Sequence, residues 1–221
     1  MTKANFTSIN VVLDRSGSME TVRVDTIGSF NSFIKDQKKV PGEVMFSLVA
    51  FNNHHEVIHD CVPLASVNDL TLESYVPRST TALLDTIGWT INNVGAKLSA
   101  MKEEDRPSQV LFVVLTDGEE NSSHEFNKDT ITSMIKHQRE HYSWEFVFLG
   151  VDENSIKDAK SYGFVHTQSY DHSGSGVKCM MNKLSSNVAS YRSCGESLSN
   201  DFFQQKDVVD DKSSGDLDKK S

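Results

Sequence analysis

The chain has little of what a disulfide-stapled or membrane-spanning protein needs. Its 221 residues hold three cysteines, Cys61, Cys179 and Cys194. They are odd in number and far apart, which excludes a disulfide framework and a paired-cysteine zinc site and reads as ordinary reduced thiols. The longest apolar runs, Ile9 to Leu13 and Val110 to Leu115, fall far short of the ~20 residues that a membrane-spanning helix requires. Met1 to Phe6 lead directly into a strand pattern, without the charged, apolar and cleavage regions of a secretory leader, so the expected location is the cytoplasm. The acceptor triplet Asn121-Ser122-Ser123 is discounted for the same reason. Clusters of lysine and arginine are missing too. With a formal net charge of −9, the composition argues against nucleic acid or an anionic membrane as the main partner.

What is present is enough apolar residue, 37%, for one globular domain with a proper core. Ile9 to Leu13 is a nearly continuous apolar run, as expected of a strand buried on both faces and central in its sheet. From Met19 to Gln37 apolar residues recur at helical spacing, and Pro41-Gly42 ends the segment. Glu43 to Phe51 and Glu56 to Cys61 flank the polar turn Asn52 to His55, which predicts an antiparallel hairpin whose second strand is an edge. A long helix is expected from Thr81 to Met101, a buried strand at Val110 to Leu115, a helix from Lys128 to His141 and a strand at Glu145 to Val151. A short helix at Glu153 to Tyr162, a weak strand at Phe164 to Gln168 and a last helix at Gly176 to Tyr191 complete the series.

Strands alternate with helices throughout. This predicts an α/β fold, doubly wound, with a mostly parallel sheet, one antiparallel edge strand and helices on both faces. The expected division is a domain over residues 1–195 and a disordered tail over 196–221, where Asp, Lys and Ser cannot bury enough apolar surface to offset ordering.

In a doubly wound sheet, ligands bind beyond the carboxyl ends of the strands. Asp14 ends the first strand within Asp14-Arg15-Ser16-Gly17-Ser18, and Asp117 follows the strand Val110 to Leu115. If those strands are neighbours, the two carboxylates converge, and the turn at Gly17 lets the Ser16 and Ser18 hydroxyls face the same point. Oxygen donors without sulfur or imidazole suit magnesium, and manganese or calcium as alternatives, rather than zinc or copper. Two carboxylates balance the dication and the hydroxyls are neutral, so an acidic side chain of a partner can complete the coordination shell.

Asp14-x-Ser16-x-Ser18 after an apolar strand, a threonine opening a central helix and a strand-terminal Asp117-Gly118 resemble the metal-ion-dependent adhesion site of the von Willebrand factor A and integrin inserted-domain family. The similarity spans roughly Ile9 to Gln168. It implies that Thr81, in the run Thr81 to Ile87, is a further ligand, so that the metal residues are Asp14, Ser16, Ser18, Thr81 and Asp117. Ser79 and Thr80 stand where the family commonly has two glycines. The resemblance also implies a non-enzymatic binding module that captures an Asp or Glu of a protein partner. Stand-alone intracellular members tend to be adaptor or assembly subunits, for example beside ring ATPases or in stress-response complexes.

Several other patterns compete. A second D-x-S-x-S, Asp171-His172-Ser173-Gly174-Ser175, has no apolar strand before it and reads as a cap of the last helix. His137-Gln138-Arg139-Glu140-His141 matches an inverted zinc-protease pattern, but it sits at a helix end, where His and Arg meet the negative pole of the helix dipole. His54, His55 and His59 read as parts of an exposed edge. Glu20, Glu119 and Glu120 read as solvated or as neighbours of the ion, and Arg15 and Arg78 as candidates to contact an incoming carboxylate. The alternative activity is a magnesium-dependent phosphatase of the haloacid dehalogenase type with Asp14 as nucleophile. Its acid–base aspartate would fall at Ser16, whose hydroxyl is a poor general acid.

Overall fold

The computed structural model describes residues 1–195 together with Leu198, Phe202 and Phe203. The apolar runs form strands β1 (Lys3–Asp14), β2 (Glu43–Phe51), β3 (His55–Pro63), β4 (Pro107–Leu115), β5 (Glu145–Gly150) and β6 (His166–Ser169). Between and after them run α1 (Arg23–Gln37), α2 (Leu83–Ala100), α3 (Lys128–Tyr142), α4 (Glu153–Ser161) and α5 (Gly174–Cys194). The sheet order is β3-β2-β1-β4-β5-β6, with only the β2–β3 pair antiparallel. The architecture is thus the doubly wound α/β fold, and β1 and β4 are neighbours.

Alternation along β1 sorts the core into two layers. Ile9, Val11 and Leu13 face Phe30 and Phe33 of α1 and Val177 and Leu184 of α5. Val12 faces the other way, into a layer with Phe112, Val114, Ile87 and Ile91 of α2, and Ile131 and Ile135 of α3. A side-chain period of two on a strand buried on both faces produces this division. The edge strand β3 pairs with β2 irregularly, with register shifts around Leu48, and Cys61 adopts a φ of 54°. Such irregularity blunts an exposed edge against pairing with another chain.

Among the boundaries that differ from the sequence expectation, three have a direct physical reason. β1 begins at Lys3 because pairing continues before the apolar run: the Lys3 amide donates to the Arg106 carbonyl at 2.7 Å, Phe6 lies level with Glu43 of β2, and the buried Thr7 Oγ1 donates to Gln109 Oε1. The first helical segment opens as a 3-10 turn, Gly17–Val22, before α1. α2 starts at Leu83, because Ala82 has a non-helical backbone and the main chain of Thr81 is engaged elsewhere. Most of the expected tail over 196–221 lies outside the described residues. Of that segment, Phe202 is buried against the core, and the Asn187 amide donates to its carbonyl.

Candidate functional site

The register of the central strands builds the site. Leu13 lies level with Leu115 in parallel pairing, so Asp14 lies level with Thr116, and Asp117 is one residue further out at the same rim. Thr116 Oγ1 donates to Asp14 Oδ2 at 2.5 Å, and the Ser16 amide donates to Asp14 Oδ1 at 2.7 Å. The Ser16 and Ser18 hydroxyls are 3.1 Å apart, and Ser18 Oγ donates to Asp117 Oδ1 at 2.8 Å. Thr81 closes the ring beside Gly118, where an added Cβ would come within 3.2 Å of Thr81 Oγ1 and 3.8 Å of Asp14 Oδ2. All five residues singled out from the sequence therefore meet at the carboxyl end of β1 and β4. Gly118 is the residue that lets the backbone pass so close to Thr81.

The placement of Thr81 depends on the loop after Asp117, whose Glu119 and Glu120 read in the sequence as solvated or as neighbours of the ion. Asn121 Oδ1 accepts from the Thr81 amide at 2.9 Å, and the Asn121 amide donates to the Thr81 carbonyl at 3.1 Å. Glu120 accepts from the amides of Leu84, Ser122 and Ser123, so its charge sits on orphan donors at the start of α2. Asp85 takes the amides of His124, Glu125 and Phe126. The loop after Asp117 is thereby sewn to the start of α2. The visible signal for it was the run of short polar residues from Asn121 to Ser123 facing a helix start.

Electrostatically the rim is expensive. Asp14 is fully buried, and the burial pushes its carboxyl from 3.8 up to about 6 against the hydrogen bonds of Thr116 and Ser16. Burial also raises Asp117, opposed by the Ser18 hydroxyl and by His172. No lysine or arginine of the described residues is paired with either carboxylate. Arg15, expected as a contact for an incoming acid, is instead buried, with Nη1 2.6 Å from Glu56 Oε2. Arg78 lines an open cavity of about 470 Å³ beside it, and Glu20 turns to Arg23 at 3.3 Å. Beneath the site, the fully buried Tyr75 donates from its hydroxyl to the Asp14 carbonyl at 2.5 Å. Tyr75→Phe leaves that carbonyl unsatisfied and should cost about 1–2 kcal/mol in urea unfolding.

The residues set aside earlier divide in two. His137 and His141 stack on the surface of α3, and His55 stacks on Trp89 of α2. Among the described residues no three His, Cys, Asp or Glu side chains gather into a metal site of their own, so any cation at the rim depends on the hydroxyls. The second D-x-S-x-S is not only a cap. Ser173 does cap α5, but His172 lies against Asp117, with Nε2 2.9 Å from Oδ2.

Comparison with known proteins agrees with this fold. The von Willebrand factor type A domain profile matches residues 8–191, so the chain belongs to that family. A search of curated proteins found no match. Among solved structures, the pilus adhesin SpaC from Lactobacillus rhamnosus GG is similar with a TM-score of 0.58 and 13% identity, over 86% of this chain and 30% of that one. Proximal thread matrix protein 1 from the mussel byssus gives 0.56 and 16%, over 84% and 47%. A von Willebrand factor type A protein from Catenulispora acidiphila gives 0.53 and 13%, over 85% and 43%. At these identities the likeness concerns the fold, and the chain spans less than half the length of each.

Proposed function

We propose that the rim binds one divalent cation through Asp14, Ser16, Ser18, Thr81 and Asp117, and that the bound ion captures an Asp or Glu of a protein partner. One observation carries this reading: two buried carboxylates share a rim with three hydroxyls, and no lysine or arginine of the described residues is paired with them, while His172 lies 2.9 Å from Asp117 Oδ2. Burying unpaired charge is costly, and a hard dication is the counter-charge that this oxygen-donor set accepts. The buried Asp117 Oδ2 has no hydrogen-bond partner, which also fits a coordinating atom. Magnesium, with manganese or calcium as substitutes, suits the oxygen donors. The ion would supply an electrophilic point for the partner's carboxylate, while the chain's own residues hold its position.

The role is that of an adaptor or assembly factor beside a larger complex, such as a ring ATPase or a stress-response assembly. The free thiols of Cys61, Cys179 and Cys194 support a reducing, cytoplasmic setting. No described helix is long and apolar enough to cross a membrane. A phosphatase reading gains nothing from the site, since the carboxylate that would attack phosphorus, Asp14, is fully buried and held at both oxygens. Asp117→Ala should abolish stabilisation by magnesium or manganese in thermal melts while leaving the melt in EDTA within a few degrees of wild type. An equal cation response in both proteins would refute the assignment.

A further inference from the structure

The open cavity of about 470 Å³ beside the rim has Arg15, Glu56, Val57, Glu73, Val76 and Arg78 in its lining. Its two arginines stand in different states. Arg15 is 6% exposed and committed to Glu56, with Nη1 2.6 Å from Oε2. Arg78 is exposed, and no carboxylate of the described residues lies within ion-pair distance of its guanidinium. The other acid of the lining, Glu73, is held below the ordinary carboxylate range by a hydrogen bond with Thr71, with a smaller contribution from Arg23. The cavity thus presents one positive charge that is unmatched among the described residues. Val57 and Val76, each 36% exposed, give it an apolar margin.

The backbone of Arg78 is tied to the rim. Its amide donates to the Arg15 carbonyl at 3.0 Å, and the Gly17 amide donates to the Ser79 carbonyl at 3.1 Å. Arg15 and Gly17 alternate with Asp14, Ser16 and Ser18, so the segment that carries Arg78 is laced to the turn that supplies three of the rim oxygens. Ser79 has a φ of 70°, a left-handed backbone that serine rarely adopts, and Pro77 fixes the chain on the other side. The guanidinium is free, but its point of attachment is set relative to the rim. A charge placed in advance beside a binding site lowers the ordering cost when a ligand arrives.

We propose that this cavity is a second recognition subsite, in which Arg78 takes another acidic side chain of the partner segment whose first acid reaches the cation, while a neighbouring apolar side chain packs on Val57 and Val76. The inference rests on the cation-binding reading above and deepens it, because the partner then offers a segment with two acids rather than one. Charge complementarity favours an acid over a base at Arg78, and continuity with the rim favours one segment over a separate ligand. Arg78 is in this account a specificity residue: a segment with a single acid leaves the guanidinium to water, and a basic side chain at that place is repelled.

The test is selection of displayed random peptides on the full chain in manganese, followed by titration of the selected peptides against wild type, Arg78→Ala and Arg78→Glu. The wild type should enrich peptides with two acidic residues around an apolar one, and their binding should be lost in EDTA. Arg78→Ala should weaken these peptides by about threefold and Arg78→Glu by about tenfold or more. A peptide whose second acid is changed to its amide should bind wild type and Arg78→Ala alike. A wild-type selection that yields no peptide with two acids, or peptides bound equally by wild type and Arg78→Glu, would overturn the proposal. Peptides that depend on Arg78 yet keep their affinity in EDTA would uphold the arginine subsite and refute the cation reading, so the two failures are distinguishable.

Discussion

In EDTA, the stability of the protein relative to its Asp14→Asn variant is expected to fall by about 2.4 kcal/mol as the pH rises from 4 to 7. The cause is the burial of Asp14, which holds its carboxyl protonated up to about 6, whereas the unfolded chain releases that proton near 3.8. Between these values unfolding releases a proton and is favoured by raising the pH. The stabilising contribution is thus complete below 3.8 and lost as the pH passes 6. Carboxylates such as Asp60, lowered by its hydrogen bonds to Lys97 and Asn93 despite burial, act in the opposite sense, but they are common to both proteins and cancel in the difference. A saturating divalent cation, which needs the ionised carboxylate, should reverse the loss by about 2.7 kcal/mol at a hundred times its Kd. Urea midpoints of both proteins at pH 4, 5, 6 and 7, with EDTA and with magnesium, measure the effect. A flat difference across that range would show that Asp14 is not held neutral by its burial.

The second large effect lies at the other end of the sheet. Arg192 of α5 is 5% exposed, and its Nη1 donates to the Gln37 carbonyl at 2.7 Å, while its Nη2 donates to the Val40 carbonyl at 3.0 Å. It thereby caps the carboxyl end of α1, where unpaired carbonyls and the helix dipole favour a cation. Gln37 completes the link by donating from Nε2 to the Ser185 carbonyl at 2.9 Å. Arg192→Ala should cost about 3 kcal/mol in urea unfolding, because two carbonyls lose a charged donor and the packed stem is removed. Cation affinity should not change, since α1 ends at the amino-terminal edge of the sheet, a full strand length from the rim. A loss below about 1 kcal/mol would mean that water replaces the guanidinium there.

These two residues also show what the sequence does and does not disclose. Asp14 was legible because a charged residue ends an apolar run, and period-two burial with strand neighbours follows from that run alone. The convergence of Asp14 and Asp117 needed only that β1 and β4 be adjacent. Arg192 was not legible: on α5 it occupies a helical position with polar neighbours, and only the tertiary packing of α1 against α5 shows that it is buried. The same holds for Glu120 and Asn121, whose roles depend on which helix start lies opposite them. Thr81 entered through family resemblance, because it precedes α2 by two residues and has no periodic signature of its own. His172 was hidden inside a motif whose serine does cap α5 as expected. Short polar loops state their chemistry but not their direction, and direction comes from the fold.

The central claim is that the carboxyl rim of β1 and β4 holds one divalent cation on Asp14, Ser16, Ser18, Thr81 and Asp117. Isothermal titration of manganese into the apo protein at pH 7.5 tests it most directly, with Asp117→Ala and Thr81→Ala titrated alongside. The account predicts one ion per chain for the wild type, no measurable binding for Asp117→Ala and a weakened isotherm for Thr81→Ala. Manganese heats that are absent from the wild type, or that are the same in all three proteins, would contradict it.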